Sequence, residues 1–417
     1  MPIAKRCWRL SKPLGVVCSD DGHDSLSAKP GKMHESQHTI IIVVGEASGD
    51  ALGAGLIAAL KKHAPQLKFA GIGGPAMLAQ GFDSWYPQEW LALRGLAEVL
   101  PSVPKLLKLR AELTHRITTL KPALFIGIDA PDFNLGLEKK LKNTGIKTLH
   151  YVCPSLWAWR EKRVQKLKDA VDHLLSVFPF ESELLRKHEV AHTFVGHRLA
   201  DRPLGRAQQE AMRERFQLRA HPVFALLPGS RASELHMHAK LYFEVAKRLH
   251  AQYPDAHFLV PLATRATRDQ WAQMQWQHGA QDLPMTLLYG HAEFALTAAD
   301  VALVASGTAS LEAALCECPQ LITYKVSRLT YWWVKSKLRL PYVGLPNILS
   351  RAFIVPELLQ SEASTNNVVQ ALANIWEDRA FRELMTEKSA RLKASLQANT
   401  SMTADEMAAL AVLSLMS

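Results

Sequence analysis

The run Thr39-Ile-Ile-Ile-Val-Val44 constrains this chain most. Six consecutive β-favouring residues with no polar alternation describe a strand covered on both faces. A sheet wet on one side would alternate apolar and polar positions, so this strand calls for helices above and below it. Leu67–Ile72, Leu124–Ile128, Thr148–Val152 and Leu174–Phe178 repeat the signature. Helix-length stretches separate them; in the first, Leu52, Leu56, Ile57 and Leu60 share one face.

The rhythm weakens between Gly196 and Pro222, then restarts with Val223–Leu227, His257–Val260, Met285–Tyr289, Val301–Ala305 and Leu321–Lys325. Two doubly wound parallel α/β domains are therefore expected, over residues 38–205 and 206–345. Residues 346–417 read as helices, since glycine is absent beyond Gly344 and Ala, Leu, Glu and Gln are frequent from about Glu357. Residues 1–37 read as a tail. It is either a disordered tail or an extension preceding a translation start at Met33. A chain of 417 residues with 48% hydrophobic and 21% charged residues has the material for two cores.

A formal net charge of +10 favours anionic partners. The basic residues are dispersed and no zinc-finger, KH or RRM signature is visible, so nucleic acid is not an expected partner. Five cysteines, Cys7, Cys18, Cys153, Cys316 and Cys318, fit neither a disulfide framework nor a metal site and suit a reducing cytoplasm. The most apolar stretch, Thr39–Leu60, is interrupted by Glu46, Asp50 and glycines. Any membrane contact is therefore expected to be peripheral. Two segments mix apolar and basic residues as an interfacial segment would: Leu106, Leu107 and Leu109 among Lys105, Lys108 and Arg110, and Thr330–Arg339. A solvated basic face is the commoner explanation of either one alone, and the presence of both favours the interfacial reading modestly.

Several strand ends carry candidate chemistry. Val301–Ala305 runs into Ser306-Gly307-Thr308 and a helix start, where free amides and the helix dipole favour an anion. Gly307 allows close backbone approach, and Ser306 and Thr308 offer hydroxyls. With Thr308 as N-cap, Glu312 lies one position past the capping-box acid, which suits a ligand role such as accepting ribose hydroxyls. A plain N-cap is the competing reading. In Pro228-Gly-Ser-Arg231 the arginine can bridge phosphate oxygens or simply face solvent. Gly45-Glu46-Ala-Ser48-Gly-Asp50 is not a dinucleotide fingerprint; its acids and serine suit sugar hydroxyls or helix capping. Asp129 follows Leu124–Ile128 at the carboxyl end of a strand and is the candidate general base, with Asp132 as runner-up. The aromatic loop Tyr151–Arg160 suits sugar faces, acyl chains or core packing. No Walker A, H-E-x-x-H or strand-end D-x-D pattern is present, so no metal or cofactor is expected.

As an ordered set, GEASGD (45–50), GIDAPDFN (127–134), YVCPSLWAWR (151–160), LLPGSR (226–231), SGTASLE (306–312) and LPN (345–347) resemble the lipid A disaccharide synthases, inverting GT-B glycosyltransferases. The resemblance runs from Thr39 to the C-terminus; Cys153 stands where the family pattern has Ser. It implies a GT-B fold with a cleft between an acceptor-side first domain and a UDP-sugar-binding second domain, and C-terminal helices returning toward the first. It implies UDP-2,3-diacylglucosamine as donor and 2,3-diacylglucosamine 1-phosphate as acceptor. The products are then UDP and a β-1′,6-linked tetraacyl disaccharide 1-phosphate. Asp129 becomes the base on the acceptor 6-hydroxyl. Arg231, Ser306, Gly307, Thr308, Glu312 and Asn347 become the UDP site, with Glu46 and Ser48 across the cleft. An anionic membrane surface on the cytoplasmic face of the inner membrane is the expected location, and self-association is left open. Other UDP-sugar enzymes of this fold, an N-acetylglucosaminyltransferase or a 2-epimerase, and a non-catalytic nucleotide-sugar-binding protein are the alternatives.

Overall fold

A computed structural model describes residues 38–91, 96–154, 162–305, 307–325, 341–398 and 401–417. The tail 1–37, Ser306, the aromatic stretch 155–160 and the segment 330–339 lie outside the described residues.

The first domain is a sheet with helices on its faces. β1 (Thr39–Val44) leads into α1 (Ala47–His63), and β2 (Lys68–Ile72), β3 (Asp83–Ser84) and α2 (Leu96–Leu120) follow. Then come β4 (Leu124–Ile128), α3 (Pro131–Lys142), β5 (Thr148–Tyr151), β6 (His173–Ser176) and β7 (His192–Phe194). The order is β3-β2-β1-β4-β5-β6-β7 and every pairing is parallel. Ile40 to Val44 are all fully buried, as the unbroken β-branched run requires.

The second sheet contains β8 (Val223–Leu227), β9 (His257–Leu262), β10 (Met285–Tyr289), β11 (Val301–Ala305), β12 (Gln320–Tyr324) and β13 (Glu357–Leu359). Its order is β10-β9-β8-β11-β12-β13, again wholly parallel. The long helix α4 (Ala232–Gln252) follows β8, and α5 (Thr308–Leu315) follows β11. In both sheets the strand order reverses beside the first strand, between β1 and β4 and between β8 and β11. Loops leaving adjacent strands there diverge to opposite faces and open a crevice at the carboxyl ends, where such sheets bind ligands.

β13 departs from expectation, because Glu357-Leu-Leu359 reads as the start of the helical tail. Glu and Leu are good helix formers, yet pairing with β12 makes them an edge strand. β3 and β7 were equally illegible, being edge strands of two and three residues. Of the C-terminal helices, α6 (Thr365–Glu377) packs on α4 and α7 (Arg379–Ser395) on α5, both in the second domain. The last helix, α8 (Ala404–Met416), is the one that returns, lying against α1. The Nε of Arg198 donates to Asp405 Oδ2 at 2.9 Å, and Lys147 Nζ to the Leu415 carbonyl at 2.6 Å.

Candidate active site

On the first domain, β1 ends at Val44 and the chain passes through Gly45 and extended Glu46 into α1. The neighbouring β4 ends in a turn where Asp129 (φ 51°) and Ala130 (φ 45°) are both left-handed before Pro131 opens α3. Each such conformation costs a non-glycine residue about 1 kcal/mol. Asn134 offsets this: its buried amide Nδ2 donates to the Asp129 carbonyl at 2.8 Å and to the Val43 carbonyl at 3.2 Å. A Cβ on Gly45 would meet the Ala130 Cβ at 2.7 Å, so glycine is what lets the two loops touch. Glu46 and Asp129, both half-buried, therefore occupy adjacent loops, with half-buried Ser48 in the first turn of α1.

Asp50 caps a neighbouring short helix, Pro75–Leu78, rather than the helix its own motif opens. Its carboxylate accepts from the amides of Gly74 and Ala76 at 2.9 Å and of Met77 at 3.1 Å. The carbonyl of Asp132 accepts from Arg110.

On the second domain, Arg231 is the N-cap of α4. Its Nη1 donates to Glu234 Oε1 at 2.7 Å and its Nη2 to Glu46 Oε1 at 3.0 Å. Glu234 Oε2 also accepts from the Ser230 amide at 2.8 Å. The Glu46–Arg231 pair joins the carboxyl end of β1 to that of β8, so the two switch points face each other.

The helix after β11 starts one residue earlier than the motif suggested. Gly307, at φ 144°, is the N-cap of α5, and exposed Thr308 is the first helical residue. Gly307 supplies the positive φ, and the Ser310 hydroxyl donates back to its carbonyl at 2.8 Å. Among the described residues, nothing lies within 4 Å of where a Gly307 side chain would project. Glu312 falls one turn further on. Burial, and then the neighbouring Glu293 carboxylate, push its pKa up to about 7.

Asn347 is fully buried, and its amide is saturated by protein. Nδ2 donates to the Val355 carbonyl at 2.8 Å and to Glu357 Oε1 at 2.7 Å. Oδ1 accepts from the amides of Ile354 at 2.7 Å and Val355 at 3.0 Å. No donor or acceptor position of that side chain is left for a ligand such as UDP. Asn134 and Glu234 stand inside or beside the motifs, but their part in holding Asp129 and Arg231 is set by packing.

Along α2, Leu109 and Leu113 enter the core, whereas Leu107 is exposed beside exposed Lys105 and Lys108. Among the described residues no helix is long and apolar enough to cross a membrane, and no group of three or more His, Cys, Asp or Glu side chains is placed to hold a metal ion.

Two facing Rossmann-like domains with loops converging from both switch points define the GT-B class of nucleotide-sugar enzymes. The fold is shared with a UDP-GlcNAc 2-epimerase from Neisseria meningitidis at TM-score 0.58 and 13% identity, covering 85% of this chain and 97% of that one. It is shared with MurG of Acinetobacter baumannii at TM-score 0.50 and 14% identity, covering 91% and 99%. Sequence narrows the class: residues 40–412 match the model of the lipid-A-disaccharide synthetase family. The lipid-A-disaccharide synthase of Chromobacterium violaceum is 51% identical over 362 residues, 87% of this chain and 94% of the relative. That of Dechloromonas aromatica is 50% identical over 363 residues, 87% and 95%. This chain belongs to the lipid-A-disaccharide synthetase family and is a glycosyltransferase of lipid A biosynthesis.

Proposed function

We propose that the protein transfers 2,3-diacylglucosamine from its UDP conjugate to the 6-hydroxyl of 2,3-diacylglucosamine 1-phosphate, with inversion, giving the β-1′,6-linked disaccharide 1-phosphate and UDP. The Glu46–Arg231 contact supports this reading, because it brings the strand end that carries Glu46 and Asp129 against the one that carries Arg231, a guanidinium suited to phosphate oxygens. Asp129 removes the proton of the acceptor hydroxyl as its oxygen attacks the anomeric carbon. The bond to the UDP oxygen breaks on the opposite side of the ring. The charge that develops on the diphosphate is met by Arg231, by the amides at the start of α5 around Gly307, and by the hydroxyls of Ser306 and Thr308. Glu312 receives ribose hydroxyls, and Glu46 and Ser48 contact the sugars. Asn347 acts through Glu357, which also accepts from the amides of Val343 and Gly344.

Both substrates combine an anionic group with acyl chains. The exposed Leu107 among Lys105 and Lys108 suits an anionic membrane surface, which supports peripheral attachment to the cytoplasmic face of the inner membrane.

The test is turnover by purified protein with both substrates in the presence of a chelator. Equimolar UDP and tetraacyl disaccharide 1-phosphate are the expected products. UDP release without disaccharide would favour an epimerase or hydrolase of the same fold, and no reaction with diacylated sugars would favour a different acceptor.

A further inference from the structure

Arg231 is held between two carboxylates, Glu46 at 3.0 Å and Glu234 at 2.7 Å. A diphosphate approaching it meets two negative charges along with one positive, and like charges brought close oppose binding. The site therefore calls for a cation with no carboxylate of its own.

Lys325 has that character. It is the first residue beyond β12, at the carboxyl end of the second sheet. β12 pairs with β11 so that Thr323 lies opposite Ala305, two residues before Lys325 and Gly307 respectively. The other neighbour of β11 is β8, with Val304 opposite Leu227, from which the loop runs to Arg231. Arg231, Gly307 and Lys325 thus leave three adjacent strands, spaced about 4.8 Å apart, with the glycine in the middle.

The face is set by alternation along the strand. Thr323, two residues before Lys325, places its hydroxyl 3.3 Å from Tyr242 Oη on α4, the helix that Arg231 caps. Further up α4, His238 feels the Lys325 charge. Its ring is anchored through Nδ1 to the Pro228 carbonyl at 2.8 Å, and burial holds its pKa below the usual imidazole value, so it adds no competing charge. Lys325 is half-buried with no ion pair among the described residues, and burial alone lowers its pKa from the ordinary lysine value. A partly desolvated ammonium without a carboxylate gains most from an arriving anion.

We propose that Lys325 is the second cation of the nucleotide-sugar site, contacting phosphoryl oxygens of the donor diphosphate from the side of Gly307 opposite Arg231. This rests on reading the loops at Arg231 and Gly307 as the diphosphate site. Wild type, Lys325→Ala and Lys325→Arg are compared by titration with UDP and with uridine, and by disaccharide formation. Lys325→Ala should weaken UDP roughly ten- to hundredfold and leave uridine within about twofold, while Lys325→Arg restores most of the loss. UDP affinity unchanged in Lys325→Ala would overturn the proposal. Equal losses for UDP and uridine would mark a scaffolding residue and overturn it too. An effect confined to the KM of the acceptor would assign the lysine to the acceptor phosphate instead. If wild type binds UDP in a Lys325-dependent way but forms no disaccharide, the transferase reading fails while this one stands. If disaccharide forms equally well without Lys325, only this one fails.

Discussion

The carboxylate of Glu46 lies 3.0 Å from the guanidinium of Arg231, 185 positions further along the chain. It is a contact between domains at the place where the nucleotide phosphates are proposed to sit. Arg231 already has two carboxylate partners within the chain, so the proposed phosphate contact would be an exchange of anions at one guanidinium.

Both side chains keep some solvent access, about a fifth to a quarter of their surface, so the pair is worth roughly 1 kcal/mol or less. Glu46→Gln removes the competitor. UDP affinity should rise about two- to fivefold, an upper range set by that energy, while turnover falls as the proposed sugar contact is lost. Calorimetric titration and steady-state rates check both halves. Weaker UDP binding in the variant would mean that Glu46 supports Arg231 rather than competing for it.

Asp129→Asn keeps the shape of the turn and its hydrogen bond to Asn134 but removes the proposed base. Turnover should fall by about two to four orders of magnitude, with UDP affinity and melting temperature unchanged. A collapse of UDP affinity would recast Asp129 as a structural residue.

Glu312, with a pKa near 7 against an ordinary 4.5, binds its proton more tightly in the folded protein than in the unfolded one. Its contribution to stability is complete below about pH 4.5 and is lost as pH rises through about 7, amounting to at most about 3 kcal/mol. Chemical denaturation of Glu312→Gln and wild type should therefore show the variant gaining on wild type between pH 5 and pH 8. The ionised carboxylate is the form suited to the proposed acceptance of ribose hydroxyls. Wild-type UDP affinity should accordingly strengthen through pH 7, and that of Glu312→Gln should not.

Asn347→Ala strands the buried amides of Ile354 and Val355 and the carbonyl of Val355. A loss of about 3 kcal/mol in stability is expected, read as a lower denaturation midpoint, with UDP affinity falling as a secondary effect. Stability unchanged with UDP binding lost would return Asn347 to direct ligand contact.

The amino-acid sequence by itself determined the two parallel sheets. Runs such as Thr39–Val44 and Val301–Ala305 are apolar on both faces, and burial on both faces is a local property of composition. It also marked Glu46, Asp129, Arg231 and Gly307, because small and polar residues directly after a buried strand stand out locally. The tertiary structure decided what depends on a neighbour distant in sequence. Glu357–Leu359 is a strand because β12 offers it a free edge, against its own helical preference. Asp50 is a cap because the start of a short helix, the free amides of Gly74, Ala76 and Met77, comes to it from another loop. Asn347 is consumed by the backbone of residues 354–357, and Arg231 is shared between the carboxylates of Glu234 and Glu46. A side chain's chemical type is written in the sequence, but whether its hydrogen bonds and charge remain free for a ligand depends on which partners packing brings within about 3 Å.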